Sequence, residues 1–287
     1  MLNTVLRGYD ALMQTIEATK IRIGVVNFFN ATPLIDGIFN VDEIALVPKV
    51  PSELVGCLDS GEVDLALASS IDYQKSTSEL GIIPVGVLSS DGESLTVKLC
   101  SRVPFDEVTS VHCDTDSHTS VALMQIILKE VFDITPQLID VDIRSLGKCN
   151  SEWAETVLII GDKVITSECD GEYPFSLDLG LAWKEQYELP FVFATWFAKT
   201  NVSESKVRIA SMILERQLAF NQQRLEQVVS ANAFERGWTN SLAFDYVTKH
   251  MNYAFTDAHL ASLTLFYDLA EKYGVVEKNR PICFLNK

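Results

Sequence analysis

Short apolar runs alternate along this chain with segments whose apolar residues recur at helical spacing. The runs Ile21–Val26, Ile44–Val47 and Leu65–Ala68 predict strands, with a helix from Pro33 and another over Pro51–Ser60 between them. A βαβαβ order of this kind implies a parallel sheet with right-handed crossovers. In VPSELVGCLDSGEVDLALASS, Ser52 is placed to cap a helix bearing Leu54, Val55 and Leu58, Gly61 to end it, and DLALA to resume the sheet. A short helix, a strand at Ile82–Leu88, a turn at Ser90 to Gly92 and the extended run SLTVKLCS follow. The order then restarts, with strands at Val111–Cys113, Thr135–Ile139 and Thr156–Gly161 and a helix over Ser120–Phe132. Beyond Thr200 the pattern turns helical: Glu204–Ala231 holds neither Pro nor Gly, and further helical segments run near Asn240–His250 and Asp257–Tyr273.

This pattern predicts an α/β chain of two lobes with a ligand cleft between them. The first lobe is discontinuous, 21–96 and 196–287, and includes the C-terminal helices; the second is 97–195. Residues 1–20 form an expected helical extension, since Leu2, Leu6, Tyr9, Met13 and Ile16 fall at helical spacing. Arg7 and Asp10 interrupt any apolar core there and no small-residue cleavage site follows, so a secretory signal is not expected and the cytoplasm is the expected location. No apolar run approaches the roughly 20 residues of a membrane span.

Composition narrows the function. With 287 residues, 47% of them hydrophobic, the chain can bury a full core. A formal net charge of −16 argues against nucleic acid as a partner, and the lack of clustered positive charge argues against a lipid headgroup surface. Six cysteines are scattered without C-x-x-C spacing, and four histidines are dispersed, so neither a metal site nor a redox pair is expected. The aromatic-rich stretch with Trp183, Phe191, Phe193, Trp196 and Phe197 reads as core packing that builds the second lobe and the return crossover. No G-x-S-x-G, P-loop or H-E-x-x-H motif occurs.

Candidate chemistry collects at strand ends. Asn30 lies at the end of the first strand ahead of a helix start, where open α/β folds bind ligands, although the same position suits a turn or cap residue. Ser69 and Ser70 close the third strand; one is a natural cap for the next helix and the other a natural cleft residue, and position alone does not separate them. Ser117, His118, Thr119 and Ser120 stand together before a helix, whose free N–H groups make a carboxylate or phosphate site without any lysine. Ordinary capping explains one of these four. Asp162 ends another strand and can bind a ligand hydroxyl, act as a base, cap a helix or pair with Lys163. Thr96 is either a plain strand residue or a hydroxyl at the lobe crossover.

The segments VNFFNATPL, VPSELVGCLDSGEVDLALASSIDY, DTDSHTSVALMQIILKE, LIIGD, DLGLAWKEQYELPFVFATW and HMNYAFTDAHLASLTLFYDLAEKYGVV occur in that order. Together they resemble the menaquinone-biosynthesis chorismate dehydratase family over about Ile21 to Val276. The resemblance implies the two-lobed type 2 periplasmic-binding-protein fold. Asn30 matches the family's catalytic asparagine, Ser70 is preferred over Ser69, and Thr96 keeps a family hydroxyl. The family's Ser-Arg-Thr-Ser anion segment becomes Ser117-His118-Thr119-Ser120, which replaces a permanent bidentate cation with histidine. Asn27 and Phe28 stand where the family has Ser and Tyr, and Thr32 where it has Lys.

The implied activity is dehydration of chorismate, a small anion, to 3-[(1-carboxyvinyl)oxy]benzoate, the entry step of the futalosine route to menaquinone. Asn30 would orient the reacting ring, with the Ser117 to Ser120 segment, Thr96, Ser70 and Asp162 around the substrate. The implied elimination uses no metal and no organic cofactor. The related dihydroxynaphthoate synthase family opens with a Ser-Pro-Cys-Pro-Asn-Asp type segment that is missing here. The competing class is a non-catalytic cytoplasmic protein that binds or senses a small carboxylate.

Overall fold

The computed structural model describes residues 20–167, 169 and 171–285, so the helix expected over 1–20 lies, but for its last residue, outside the described residues. Strand β1 (Ile21–Val26) pairs in parallel with β2 (Ile44–Lys49) and with β3 (Leu65–Ser69). Helix α1 (Pro51–Ser60) connects β2 to β3. It starts on a proline, whose missing N–H is no loss in a first turn, and stops at Gly61 with φ 76°. The expected cap from Ser52 is not made: Val50 holds the N-cap position without a side-chain bond. What fixes α1 is burial of Leu54 and Leu58, each 0% exposed, at about 1.5–3 kcal/mol per leucine.

The helix expected from Pro33 is a single turn, Thr32–Ile35, entered through a 3-10 turn at Phe29–Ala31. Gly37, at φ 86°, redirects the chain after it.

The first sheet is mixed rather than purely parallel. Its order is β2-β1-β3-β10-β4, where β4 is Leu80–Ser90 and β10 is Phe191–Lys199. Strand β10 runs antiparallel to both neighbours, with Ala194 opposite Ser69 and Ala198 opposite Leu65. The part of the aromatic stretch from Phe191 to Phe197 is therefore in a central strand of this sheet, which runs whole across the 195/196 boundary read from the sequence, whereas Trp183 lies in the helix over Leu179–Tyr187. A strand covered on both faces needs a nearly continuous apolar run, and Phe191, Trp196 and Phe197 are at most 1% exposed.

The second sheet repeats the plan in the order β7-β6-β8-β5-β9. Strands β6 (Ser110–Asp114), β7 (Gln137–Val141) and β8 (Thr156–Ile160) are parallel, with β7 two residues later than expected. Strand β5 (Val97–Ser101) runs antiparallel to β8 and to β9 (Phe175–Asp178). Helix α2 (His118–Phe132) follows β6 and starts earlier than expected, because Ser117 is its N-cap and accepts from the Ser120 amide at 3.2 Å. Helix α3 (Leu179–Tyr187) follows β9, and Asp178 caps it.

The expected helix over Glu204–Ala231 is two, α4 (Glu204–Gln223) and α5 (Leu225–Asn232), which meet at Arg224. The break has a local purpose. Asn221 donates to the Pro33 and Asp36 carbonyls at 3.2 and 2.9 Å, while Arg224 and Asn232 reach the Asp36 carboxylate at 2.5 and 3.1 Å. These bonds pin the turn that follows Asn30. The chain ends with a short helix, Asn240–Asp245, a π-helical turn at Tyr246–His250 and helix α6 (Asp257–Lys272).

Candidate active site

The parallel strands of both sheets end on one cleft: β1 delivers Asn30, β3 delivers Ser69, β6 leads to Ser117, and β8 ends at Gly161. Carboxyl ends of parallel strands are where open α/β sheets place ligands. The space there, counted with the open solvent at its mouth, is about 470 Å³. Its polar lining is Asn30, Ser69, Thr96, Ser117, Ser120 and Tyr246; Phe28, Leu88, Ile160, Phe193 and Met251 supply most of the apolar wall. Among the described residues no charged side chain lines it.

Two residues of this lining each hold a buried oxygen without a hydrogen-bond partner among the described residues: Asn30 Oδ1 and Ser69 Oγ. A polar atom left unbonded in the interior costs about 1–3 kcal/mol, so these are the points at which a ligand would repay binding. Asn30 owes its place to the 3-10 turn, closed by the Ala31 amide on the Phe28 carbonyl at 3.1 Å. Ser70 points elsewhere. Its hydroxyl donates to the Val192 carbonyl at 2.7 Å and its own carbonyl accepts from the Tyr267 hydroxyl at 2.8 Å. The cavity residue of that pair is Ser69, because side chains alternate along a strand.

Thr96 follows Leu95, which has a φ of 63°, an uncommon conformation for a residue with a side chain. Asp178 holds that bend: it accepts from the Leu95 amide at 2.8 Å and from the Ser94 amide at 2.9 Å. The Thr96 hydroxyl then meets the Tyr246 hydroxyl at 2.8 Å. Burial pushes the Tyr246 pKa upward, so this phenol stays protonated near neutral pH. Tyr246 begins the π-helical turn, a local widening that recurs at functional sites.

The four residues before α2 divide two and two. Ser117 and Ser120 line the cavity, with their hydroxyls 3.1 Å apart. His118 turns away, its Nδ1 2.7 Å from Asp72 Oδ1, and Thr119 accepts from the Ile71 amide at 3.1 Å. Burial pushes the Asp72 carboxyl pKa up, against the opposing pull of the His118 bond.

Asp162 is absent from the cavity lining. It accepts from the Phe29 amide at 3.1 Å and from the Trp238 indole N–H at 2.8 Å. Burial raises its pKa, partly offset by those two bonds. Just before it, Gly161 has a φ of 65°, and a Cβ there would stand 3.1 Å from the Phe28 ring. Glycine is required there on both counts. Just after it, Lys163 reaches the Asp114 carboxylate at 2.6 Å and Asp116 at 2.5 Å.

Of the residues expected at the site, Asn30, Thr96, Ser117 and Ser120 converge on the cavity; Ser70, His118, Thr119 and Asp162 bond to protein instead. Tyr246 and Phe28 were not among those expected, and the spacing around Tyr246 signals only an apolar helix face. Among the described residues no group of three His, Cys, Asp or Glu side chains is arranged to hold a metal ion, and no helix is long and apolar enough to cross a membrane.

Comparison with known proteins agrees with this architecture. The profile of a menaquinone biosynthesis family matches residues 21–272. The chain is 29% identical over 230 residues to a chorismate dehydratase of Thermus thermophilus, covering 75% of this chain and 82% of that protein. A solved protein of Archaeoglobus fulgidus superposes with a TM-score of 0.74 at 17% identity, over 90% of this chain and 99% of its own. The periplasmic aliphatic sulphonate binding protein of Escherichia coli does so at 0.65 and 14%, over 94% of each chain. At such identities these two structures speak for the fold, which is that of the periplasmic binding proteins.

Proposed function

The chain belongs to the menaquinone biosynthesis family, and from that premise we propose that it is a chorismate dehydratase, a lyase that forms 3-[(1-carboxyvinyl)oxy]benzoate and water at the entry to the futalosine route. The observation that carries this reading is Asn30: the residue that matches the family's asparagine lines the cavity and holds a buried amide oxygen without a protein partner.

In the proposed reaction the C3 proton and the C4 hydroxyl leave as water and the ring becomes aromatic. Asn30 Oδ1 accepts a hydrogen bond from the C4 hydroxyl and fixes its direction. The Tyr246 hydroxyl, kept protonated by burial, can donate to the departing oxygen. The start of α2, with Ser117 and Ser120, receives a carboxylate through N–H groups and hydroxyls. Among the described residues no carboxylate or imidazole lines the cavity, so the enolpyruvyl carboxylate of the substrate takes the C3 proton and passes it to the departing C4 hydroxyl, which leaves as water. The two lobes read from the sequence enclose the substrate, with the chain returning to the first lobe between Tyr187 and Phe191. We place the enzyme in the cytoplasm, where its six cysteines stay reduced.

A second reading has one observation in its favour. Chorismate carries two carboxylates, the described residues bring no cation to the cavity lining, and His118, standing where the family has arginine, is bonded to Asp72. A binding or sensing protein for a less charged carboxylate fits that wall. Calorimetry with chorismate, together with chromatography of the same mixture, separates the two. Binding with an aromatic product supports the dehydratase, and binding without product supports the sensor.

A further inference from the structure

Asp162 lies outside the cavity yet touches the two elements that carry its most exposed chemistry. Its carboxylate comes from the end of β8 in the second sheet. Its partners come from the other side of the cleft: the Phe29 amide at 3.1 Å, and the Trp238 indole at 2.8 Å. The Phe29 amide opens the 3-10 turn that holds Asn30, and as a first-turn donor it has no partner within the turn. Trp238 stacks on Tyr246 with ring centres 4.9 Å apart and planes at 16°, and Phe29 packs on Trp238 at 5.3 Å. Trp238 is 3% exposed and Tyr246 1%, so the stack has no free face along which to slide.

We infer that Asp162 is a positioning residue: it clamps the Phe29 amide and the Trp238 indole across the cleft, and through them holds Asn30 and Tyr246 against the ligand. The carboxylate is well anchored for that task. The Gly161 amide donates to the Thr96 carbonyl at 2.8 Å, the Phe28 ring covers the Gly161 Cα, and the Lys163 ammonium is held by Asp114 and Asp116 rather than by Asp162. Three successive residues after β8 thus face three different anchors, and the middle one reaches the Trp238 indole and the Phe29 amide. A carboxylate fits because it accepts two N–H groups at once, whereas an amide presents one acceptor and sets a donor against a donor. The same bonds form only when the two sides of the cleft are together, so the clamp orders Asn30 and Tyr246 in the closed form. Its effect on turnover rests on the dehydratase reading; its effect on order does not.

The test uses the full chain with Asp162→Asn, Trp238→Phe and the double variant, and Asp162→Ala as a more severe change. Hydrogen exchange of the ligand-free protein is expected to rise about tenfold in the segments around Phe29 and around Trp238 to Tyr246 in Asp162→Asn, with the rest of the chain unchanged. In chorismate turnover, Asp162→Asn and Trp238→Phe each lower kcat about tenfold with KM within about twofold, and the double variant is no worse than either alone. Unchanged exchange in both segments, an even rise over the whole chain, or losses that multiply in the double variant would overturn the clamp. If the wild-type protein leaves chorismate unchanged, the dehydratase reading falls and the exchange result alone decides the clamp.

Discussion

The two lips of the cleft are built from the same materials and used differently. On one, Phe28 to Asn30 meets Gly161 to Lys163; on the other, Ser69 to Asp72 meets Ser117 to Ser120. Both consist of strand ends and short polar turns. At the first, Asp162 takes up the Phe29 amide and the indole of Trp238, and Asn30 Oδ1 is left without a partner. At the second, His118 and Thr119 bond to Asp72 and Ile71, while Ser69, Ser117 and Ser120 remain at the cavity. Position at a strand end therefore does not by itself separate cavity residues from residues bonded within the protein, and Asn30 Oδ1 and Ser69 Oγ stand out by having no partner.

The sharpest way to break this contrast is Asn30→Ala. Turnover of chorismate is expected to fall by about a thousandfold or more, the scale for losing a polar group aimed at the reacting centre, with the thermal midpoint little changed. Gly161→Ala attacks the same lip through the backbone. A side chain at φ 65° pressed on the Phe28 ring is expected to cost about 1–3 kcal/mol in denaturant unfolding.

The serine pair tests the second lip. Ser70→Ala leaves the Val192 carbonyl without its donor and is expected to lose about 1–3 kcal/mol of stability with ligand affinity intact. Ser69→Ala removes a hydroxyl that has no protein partner, so stability holds and affinity falls about tenfold. Reversal of that pattern would assign the site to Ser70.

The smallest effect concerns Asp72. Burial raises its folded pKa above the unfolded value, so on raising the pH the unfolded chain releases this proton first. The stability linked to Asp72 is thus full below the ordinary aspartate range and is lost as the pH climbs through the raised folded value. Asp72→Asn removes that decline, and urea melts across the acid range are expected to show the variant gaining on the wild type as the pH rises.

The sequence made most of the scaffold legible because burial and period go together. β1 and α1 fall at the residues their patterns predict, and the Gly61 stop is where its chemistry requires. β10 was the main loss. Phe191–Lys199 is apolar throughout, and a continuous apolar run does not reveal which sheet or direction it joins. At the cavity, Asn30 was suggested by its strand end and Thr96 by the family hydroxyl, and both line it. The places of Ser70, His118, Thr119 and Asp162 were not legible, because a hydroxyl, imidazole or carboxylate looks the same in sequence whether a ligand or the Val192 carbonyl satisfies it. Tyr246 needed the π-helical turn that brings its hydroxyl to Thr96, and no spacing rule announces such a turn.

The most direct measurement is chromatography of chorismate after incubation with equal amounts of wild-type protein and Asn30→Ala. The account predicts 3-[(1-carboxyvinyl)oxy]benzoate accumulating with the wild type and, with the variant, no more than in buffer. Chorismate recovered unchanged from the wild type, or product forming equally with both proteins, would contradict it.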